Sequence, residues 1–388
     1  MNSHVATSVS SLCEILASAG RSRAKVVRAH RHDGDRLARL AGAGAGADIV
    51  SLDLSGLNGI ESHTPADQVV SVAAGTRLAD LDRELARTGQ WLPLAFRYED
   101  TSLADAIDTG DGGYLETMFG GMRSLVLGME LALITGESVK TGGKVVKNVT
   151  GYDLAKLFTG SHSWLAIPHL VHLRLFARPE QVLTLTVEHE DPSKLFAAGK
   201  ELLRSGLPLT ALEIAGPGLV ESYEKAKMLV ACHGNSRLTK ESIEAAGGLI
   251  EKMGLVIDSN QGGTIEQLSL LASCDSDTAS RCLEISATIG SQEELVKSLN
   301  AIAPLHFVSR PQTGRLRILT PEDSKDDSTS QYQPWSDFLR EGGIPHSYAS
   351  PDMRRVFLNS GSGTEKLKKS LKNRFDPNQC LNPLVRFL

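Results

Sequence analysis

Apolar positions along the chain recur at two spacings, and the switches between them outline the elements. Val9 to Leu16 carries its apolar residues at helical spacing and runs out at Gly20, which predicts an amphipathic helix. Ala24 to Val27, Ile49 to Leu54 and Val69 to Val72 are short apolar runs that predict strands. Gly75-Thr76 follows, with Thr76 expected to cap a helix that carries LADLDRELA to Arg87 and stops at Gly89. Leu125 to Val139 (LVLGMELALITGESV) predicts a hairpin, because two apolar runs flank the turn signal Gly136-Glu137. Tyr152 to Phe158 predicts a helix, and LVHLRLFARPE predicts a strand ending at Pro179.

Beyond Pro179 the alternation changes. Strands are predicted at Leu183 to Glu188, Leu209 to Ile214, Met228 to Cys232, Cys282 to Thr288 and Leu316 to Leu319. Helices are predicted at Pro192 to Leu203, Lys240 to Met253, Gln292 to Leu299 and Gly363 to Phe375. Pro321 to Gln333 (PEDSKDDSTSQYQ) is polar enough to predict a mobile loop. This is an α+β pattern, with antiparallel strand pairs and helices to one side. The expected domains are residues 1–179 and 180–388, the second taking the last helix and tail.

At 388 residues, two domains are expected rather than one. A net charge of -5 argues against nucleic acid or an anionic membrane as the main partner. Cys13, Cys232, Cys274, Cys282 and Cys380 are scattered, without a Cys-x-x-Cys pair. Free thiols in a reducing compartment are therefore expected, with neither a zinc ribbon nor a cysteine-ligated iron–sulfur site. The first residues, MNSHVATSVSSLCEILASAG, lack a basic run followed by an apolar core, and no apolar stretch approaches a membrane span. A cytoplasmic location is the expectation.

Several stretches invite a chemical reading. Gly42, Gly44 and Gly46 suggest a phosphate cradle, but they follow a helical pattern and precede a strand. A dinucleotide fingerprint has the opposite order. His30, His32, Asp33 and Asp35 have a spacing that suits neither a helix face nor a metal loop, so a solvated loop is expected and no metal site. His169 and His172 lie three apart on a predicted strand, which points them to opposite faces. No serine stands in a Gly-x-Ser-x-Gly elbow. TGGKVVKNVTGYDLAKLFTG, Thr141 to Gly160, is the richest stretch. Its glycines permit unusual backbone, and exposed N–H groups beside Lys144 and Lys147 would suit an anion such as phosphate. A tight surface loop with incidental lysines fits the same residues.

Three blocks taken together carry a resemblance. QVVSVAAGTRLADLDRELARTGQWLPL (Gln68 to Leu94), GGKVVKNVTGYDLAKLFTGS (Gly142 to Ser161) and RFDPNQCLNP (Arg374 to Pro383) resemble, in order and spacing, blocks of FAD-linked oxidases of the p-cresol methylhydroxylase and vanillyl-alcohol oxidase type. Within that group the glycine-lysine-asparagine block is most similar to the FAD-binding subunits of bacterial glycolate oxidases. The resemblance implies a two-lobed FAD-binding domain followed by a smaller α+β cap domain. It implies cofactor contacts at Thr101, Ser102, Gly113, Gly121, Lys147, Asn148, Gly151, Tyr152, Asp153, Gly160, Ser161 and Ile167.

The chemistry it implies is oxidation of a small 2-hydroxy acid such as glycolate or D-lactate, with hydride passing to the flavin and a base taking the hydroxyl proton. The catalytic base stays unassigned. Arg97, Arg123 and Arg310 are open candidates for gripping the carboxylate. With no cysteine cluster in this chain, an iron–sulfur relay would sit on a partner subunit. The sequence departs from the family pattern at three places. A glycine-rich pyrophosphate loop is replaced by His30-Arg31-His32-Asp33-Gly34, a Thr-x-Gly-Gly stretch by Thr101-Ser102-Leu103-Ala104-Asp105, and a glycine turn by Gly160-Ser161-His162-Ser163-Trp164-Leu165-Ala166. Gly112-Gly113 and Gly120-Gly121 stand nearby. These departures carry a second expectation, a flavin-fold subunit that has lost its cofactor and serves a structural or regulatory role.

Overall fold

The computed structural model describes residues 2–28, 48–96, 99–144, 153–217, 224–258, 281–302, 305–320, 346–349 and 362–382. The HRHDGD stretch, Gly42 to Gly46, Arg97, Lys147, Asn148, Gly151, Tyr152 and the Pro321 to Gln333 loop lie outside the described residues. The chain divides into two compact units. Met1–Gly112, Phe119–Arg178 and Ser360–Leu388 form the first, and Gly113–Met118 with Pro179–Asn359 the second.

The first unit begins with β1 (Asn2–Val5), helix α1 (Val9–Ser22), β2 (Lys25–Arg28) and β3 (Ile49–Asp53). Ser8 and Ser11 close a reciprocal capping box at the start of α1, and Arg23 ends it in the left-handed region, its N–H donating to Ala19 O. The three strands form a parallel sheet in the order β1-β3-β2. Leu12, Leu16, Val26, Val50 and Leu52 share a buried core between α1 and this sheet.

A second lobe of the same unit follows: β4 (Ile60–Thr64), β5 (Val69–Ala73), α2 (Leu78–Ala86), β6 (Gln90–Trp91), α3 (Leu103–Thr109), β7 (Val126–Ala132), β8 (Ser138–Gly142), α4 (Ala155–Phe158), β9 (Ile167–Arg174) and β10 (Phe176–Ala177). Five of the strands make an antiparallel sheet ordered β4-β5-β9-β7-β8. Val70, Val72, Met129, Leu131, Val171 and Leu173 meet Leu81, Leu85, Leu103 and Phe158 in one core. Alternation along the strands places these residues on a single face. The predicted hairpin at Leu125 to Val139 is β7 and β8. Its turn glycine, Gly136 (φ +87°), presses so close to α1 that a Cβ would lie 2.7 Å from that of Ala17.

The Ala74-Gly75-Thr76 step joins the two lobes, and it corrects one expectation. Thr76 does not cap α2, whose N-cap is Arg77 with no side-chain cap. Thr76 Oγ1 instead donates to Ala73 O (2.7 Å) and accepts from Gly59 N (2.8 Å). Gly75 N donates to Leu57 O, and a Cβ on Gly75 would fall 1.9 Å from Leu54 O. The backbone of one lobe therefore lies directly on the backbone after β3 in the other, an approach open only to glycine.

The second unit contains β11 (Gln181–His189), α5 (Pro192–Arg204), β12 (Ala211–Ala215), β13 (Ala226–Gly234), α6 (Ser236–Lys252), β14 (Ile257–Asp258), β15 (Arg281–Ser286), α7 (Ile289–Ile302), β16 (His306–Arg310), β17 (Arg315–Thr320) and β18 (His346–Ala349). All eight strands form one sheet, ordered β14-β11-β13-β12-β16-β17-β15-β18. Val187, Val230, Ile214, Phe307 and Ile318 project to the face that packs against Leu195, Phe196, Ile243, Ala246 and Leu299 of the helices.

The last helix, α8 (Ser362–Phe375), and its tail pack in the first unit, not in the second as expected. The physical reason is local. The Phe375 ring lies edge-on to Phe158 at 5.4 Å, and Cys380 and Leu381 are fully buried in the core under α1. Val26 N donates to Cys380 O and Asn382 N to Val26 O, so the tail continues the small sheet beyond β2. Gly75→Ala is expected to destabilise the first unit by about 3 kcal/mol, through the clash of a new methyl with two carbonyls. Chemical denaturation of the variant beside the wild-type chain checks this.

Candidate functional site

Helix α3 organises the region that the sequence marks for a cofactor. Ser102 is its N-cap: its side chain accepts from Asp105 N, and Asp105 accepts from Ser102 N in return. Leu103 N donates to Thr76 O and Ala104 N to Ala74 O, while Ala106 N donates to Ser102 O. The N–H groups of residues 102–106 thus all find partners inside the protein, so this helix end offers none of them to an anion.

Asp105 and Asp108 stand three apart and so share one side of α3. Both grip Arg28, the last residue of β2. Arg28 Nη1 reaches Asp105 Oδ1 at 2.6 Å, and Arg28 Nε and Nη2 reach Asp108 Oδ2 at 2.8 and 2.7 Å. Arg28 and Asp108 are each almost wholly buried. Burial by itself lowers the Arg28 pKa, but the Asp108 and Asp105 carboxylates outweigh it and hold the guanidinium charged above its ordinary value. Asp108 also accepts the Ser163 hydroxyl at 2.7 and 2.9 Å.

Ser163 belongs to the turn Gly160–Ala166, which sits against the C-terminal end of α3. Gly160 N donates to Ile107 O and His162 N to Asp108 O. Gly110 and Gly160 both have positive φ (69° and 78°), and a Cβ on Gly110 would lie 3.0 Å from the Gly160 Cα. His162 and Ser163 continue in the left-handed region at φ 52° and 55°. Ser161 N donates to Phe158 O and Trp164 N to Ser161 O, so the N–H groups of Gly160, Ser161, His162 and Trp164 are all used within the chain. Arg123 Nε braces the turn by donating to Thr159 O at 3.2 Å.

The remaining candidates are placed as follows. Thr101 O accepts from Leu78 N, at the entry to α3. Gly121 caps the short helix Met122–Leu125. Ser161 Oγ donates to Phe158 O, and Ile167 is buried at the start of β9 opposite Ala132. Asp153 is exposed and pairs with Lys156 at 3.1 Å. Gly113, at φ +70°, falls in the second unit. Thus Ser102, Gly160 and Ser161 share the neighbourhood of α3, whereas Lys147, Asn148, Gly151 and Tyr152 are outside the described residues. Arg28 and Asp108 were not anticipated, and Asp105 and Ser163 only as members of stretches that depart from the family pattern. The legible signal was Ser102-Leu103-Ala104-Asp105, a capping-box pattern, with a second acid three residues on.

The second unit has a polar sheet face opposite its helices. Glu213 and Arg310 pair there at 2.9 Å, Glu284 and Arg317 at 2.7 Å, Glu188 and Lys227 at 2.6 Å, and Glu116 and Arg315 at 2.9 Å. Arg310, a candidate for gripping a substrate carboxylate, therefore already faces a carboxylate within the chain. Thr210 Oγ1 lies 2.7 Å from His233 Nδ1, and the Tyr114 ring lies 5.9 Å from the imidazole. Burial pushes His233 down to about 4. Burial, with Glu213 adding to it, pushes the Tyr114 phenol up to about 12. His169 and His172 have separate partners, Ser138 and Ser71. Among the described residues, no group of three His, Cys, Asp or Glu side chains could hold a metal, and no helix is long and apolar enough to cross a membrane.

Residues 5–142, which span β2, α2 and α3, match the family model for the FAD binding domain. That part of the chain is similar to an FAD binding domain. That family implies FAD as the cofactor. An uncharacterized FAD-linked oxidoreductase of Mycobacterium tuberculosis is 33% identical over 168 residues, 43% of this chain and 36% of that one. The matched region is thus about a third of that relative's length. A glycolate oxidase subunit, GlcD of Bacillus subtilis, is 26% identical over 318 residues, 73% of this chain and 67% of that one. The crystal structure of p-cresol methylhydroxylase with substrate bound superposes with a TM-score of 0.72 over 99% of this chain and 90% of that one, at 15% identity. The fold is therefore the α+β architecture of that flavoenzyme type.

Two places, one inside and one beyond the matched residues 5–142, bear on how FAD would be held. At the Gly160 turn there is room for a close approach, since a Cβ on Gly160 would meet nothing nearer than 3.7 Å, while the N–H groups of residues 160–162 and 164 are bonded within the chain. The N-terminus of α3 contributes no donor. The α3 network makes a sharp expectation: Asp108→Asn removes a buried charge from beside Arg28 and should destabilise the first unit by about 3–5 kcal/mol, measured by urea unfolding. His233 gives a second. Its unfolded value near 6.5 exceeds its folded value near 4, so the unfolded chain takes up the proton first and stability falls as pH drops through that window. The loss should approach about 3 kcal/mol. His233→Gln should flatten that part of a melting-temperature profile against pH.

Proposed function

We propose that this chain is the FAD-carrying subunit of an oxidoreductase that oxidises a small 2-hydroxy acid, glycolate or D-lactate. The observation that carries the reading is the Gly110–Gly160 contact, which seats the Gly160–Ala166 turn on α3, a helix inside the residues 5–142 that match the FAD binding domain model. The likeness to a glycolate oxidase subunit over 73% of the chain supports the substrate class. The chemistry FAD would supply is a hydride acceptor for C2 of the acid. The residues that would hold it are Thr101, Gly121, Gly160, Ser161 and Ile167 in the first unit, with Lys147, Asn148, Gly151, Tyr152 and Asp153 from the lysine-asparagine stretch. Gly113 and the Ser102 cap belong to the same candidate set. Arg28 would keep α3 and the end of β2 in register by its carboxylate pairs. An iron–sulfur partner subunit would take the electrons onward.

A second reading is favoured by one observation: the α3 N–H groups and the Arg28 guanidinium, each a natural phosphate donor, are committed to partners within the chain. On that reading the chain is a structural or regulatory subunit without flavin. The visible spectrum of the chain, purified alone and with the products of its neighbouring genes, separates the two. A flavin spectrum that bleaches on adding glycolate or D-lactate is the expected result, and Lys147→Ala with Asn148→Ala should weaken flavin retention without unfolding. A folded protein that stays colourless with added FAD gives the second reading.

A further inference from the structure

The C-terminal segment is more than a tail. Lys372, buried near the end of α8, donates from Nζ to Trp164 O at 2.6 Å and to Leu381 O at 2.8 Å, and pairs with Asp376 at 2.8 Å. The Asp376 carboxylate accepts from Cys380 N at 2.9 Å and Leu381 N at 2.7 Å, which folds the tail back on the helix. Asn382 Nδ2 then donates to His162 O, while its own N–H donates to Val26 O at 2.8 Å. Two carbonyls of the Gly160–Ala166 turn, those of His162 and Trp164, are thus held by side chains from the last helix and tail. The same tail lies along β2, two residues before the chain enters the His30–Gly34 stretch.

We propose that Lys372, Asp376 and Asn382 form a clasp that fixes the Gly160–Ala166 turn against β2, and that they act as positioning residues for the cofactor. The cofactor half of this inference rests on the FAD reading above; the clasp on the turn does not. A buried ammonium with two carbonyl acceptors and a carboxylate is a fully used donor set, so it orients all three groups at once. The turn it holds is built from left-handed residues, which have little intrinsic preference for that shape and depend on outside bonds to keep it. Asn382 is itself at φ 37°, a region that asparagine tolerates and glycine adopts freely.

The test compares Asn382→Gly and Lys372→Met with Asn378→Ala, a control whose side chain ties the tail to Gly20 O and not to the turn. Asn382→Gly keeps the backbone shape and deletes the bond to His162. Hydrogen exchange at the amides of His162 to Ala166, melting temperature and FAD titration of the apoprotein are recorded for each full-length chain. In Asn382→Gly, exchange at the turn should quicken and the FAD dissociation constant should rise about tenfold, with the melting temperature lowered by only a few degrees. Lys372→Met should show a larger rise, about a hundredfold. Asn378→Ala should behave as wild type. Wild-type exchange and affinity in Asn382→Gly overturn the clasp, as does affinity that follows melting temperature across all three variants. If Lys372→Met does not fold, Asn382→Gly decides alone. Faster exchange at the turn in a chain whose wild type never binds FAD keeps the clasp and removes the cofactor reading.

Discussion

Arg28 carries a full charge into a place that water does not reach, and the first unit is arranged around that fact. A buried guanidinium is tolerable only with its donors filled, and Asp105 and Asp108 fill them. To present both carboxylates, the chain must form α3, and α3 must lie beside the end of β2. Asp105 also closes the α3 capping box, and Asp108 also accepts Ser163. One ion triad therefore sets the helix start, the strand-to-helix distance and the seat of the Gly160 turn. Because these bonds share members, losing one partner disturbs the others, and their energies are not additive.

Glycine does the complementary work. At Gly75 the lobes of the first unit come into backbone contact, and at Gly110 and Gly160 a helix end meets a turn with no side chain between. The Ala-Gly-Thr motif, which in the sequence reads as the end of a strand before a helix, is in three dimensions the weld between two lobes. Thr76 serves that weld, not the helix. In the second unit the plan differs. Its sheet is apolar toward three helices, and on the opposite face carries acids and bases that neutralise one another across strands.

Much of this was legible from residue pattern. The strand and helix alternation of both halves, the Gly136 hairpin and the flavoenzyme-type fold follow from periodicity and from three short blocks in a fixed order. Helix α3 did not stand out, because Leu103 to Thr109 is short and its two aspartates disrupt an apolar stripe; the partner that explains them, Arg28, is nearly eighty residues away. The C-terminal helix was grouped with its neighbours in sequence for the same reason. Periodicity reports which face of an element is apolar, not which sheet that face will meet. The seat of the turn at Gly160 depended on Asp108, Lys372 and Asn382, three residues with no local pattern in common.

The return of the C-terminal segment to the first unit has a kinetic meaning. Residues 179–359 form a separate compact unit inserted between two parts of the first. During synthesis, the Gly160 turn leaves the ribosome some two hundred residues before Lys372 and Asn382 exist, and β2 some three hundred and fifty. The first unit must wait for the whole second unit to be made, holding a small sheet with an uncovered edge and a turn without its outside bonds. Contacts across so long a stretch of chain form more slowly than local ones. Until those contacts form, the uncovered sheet edge is the kind of surface on which chains aggregate or chaperones act.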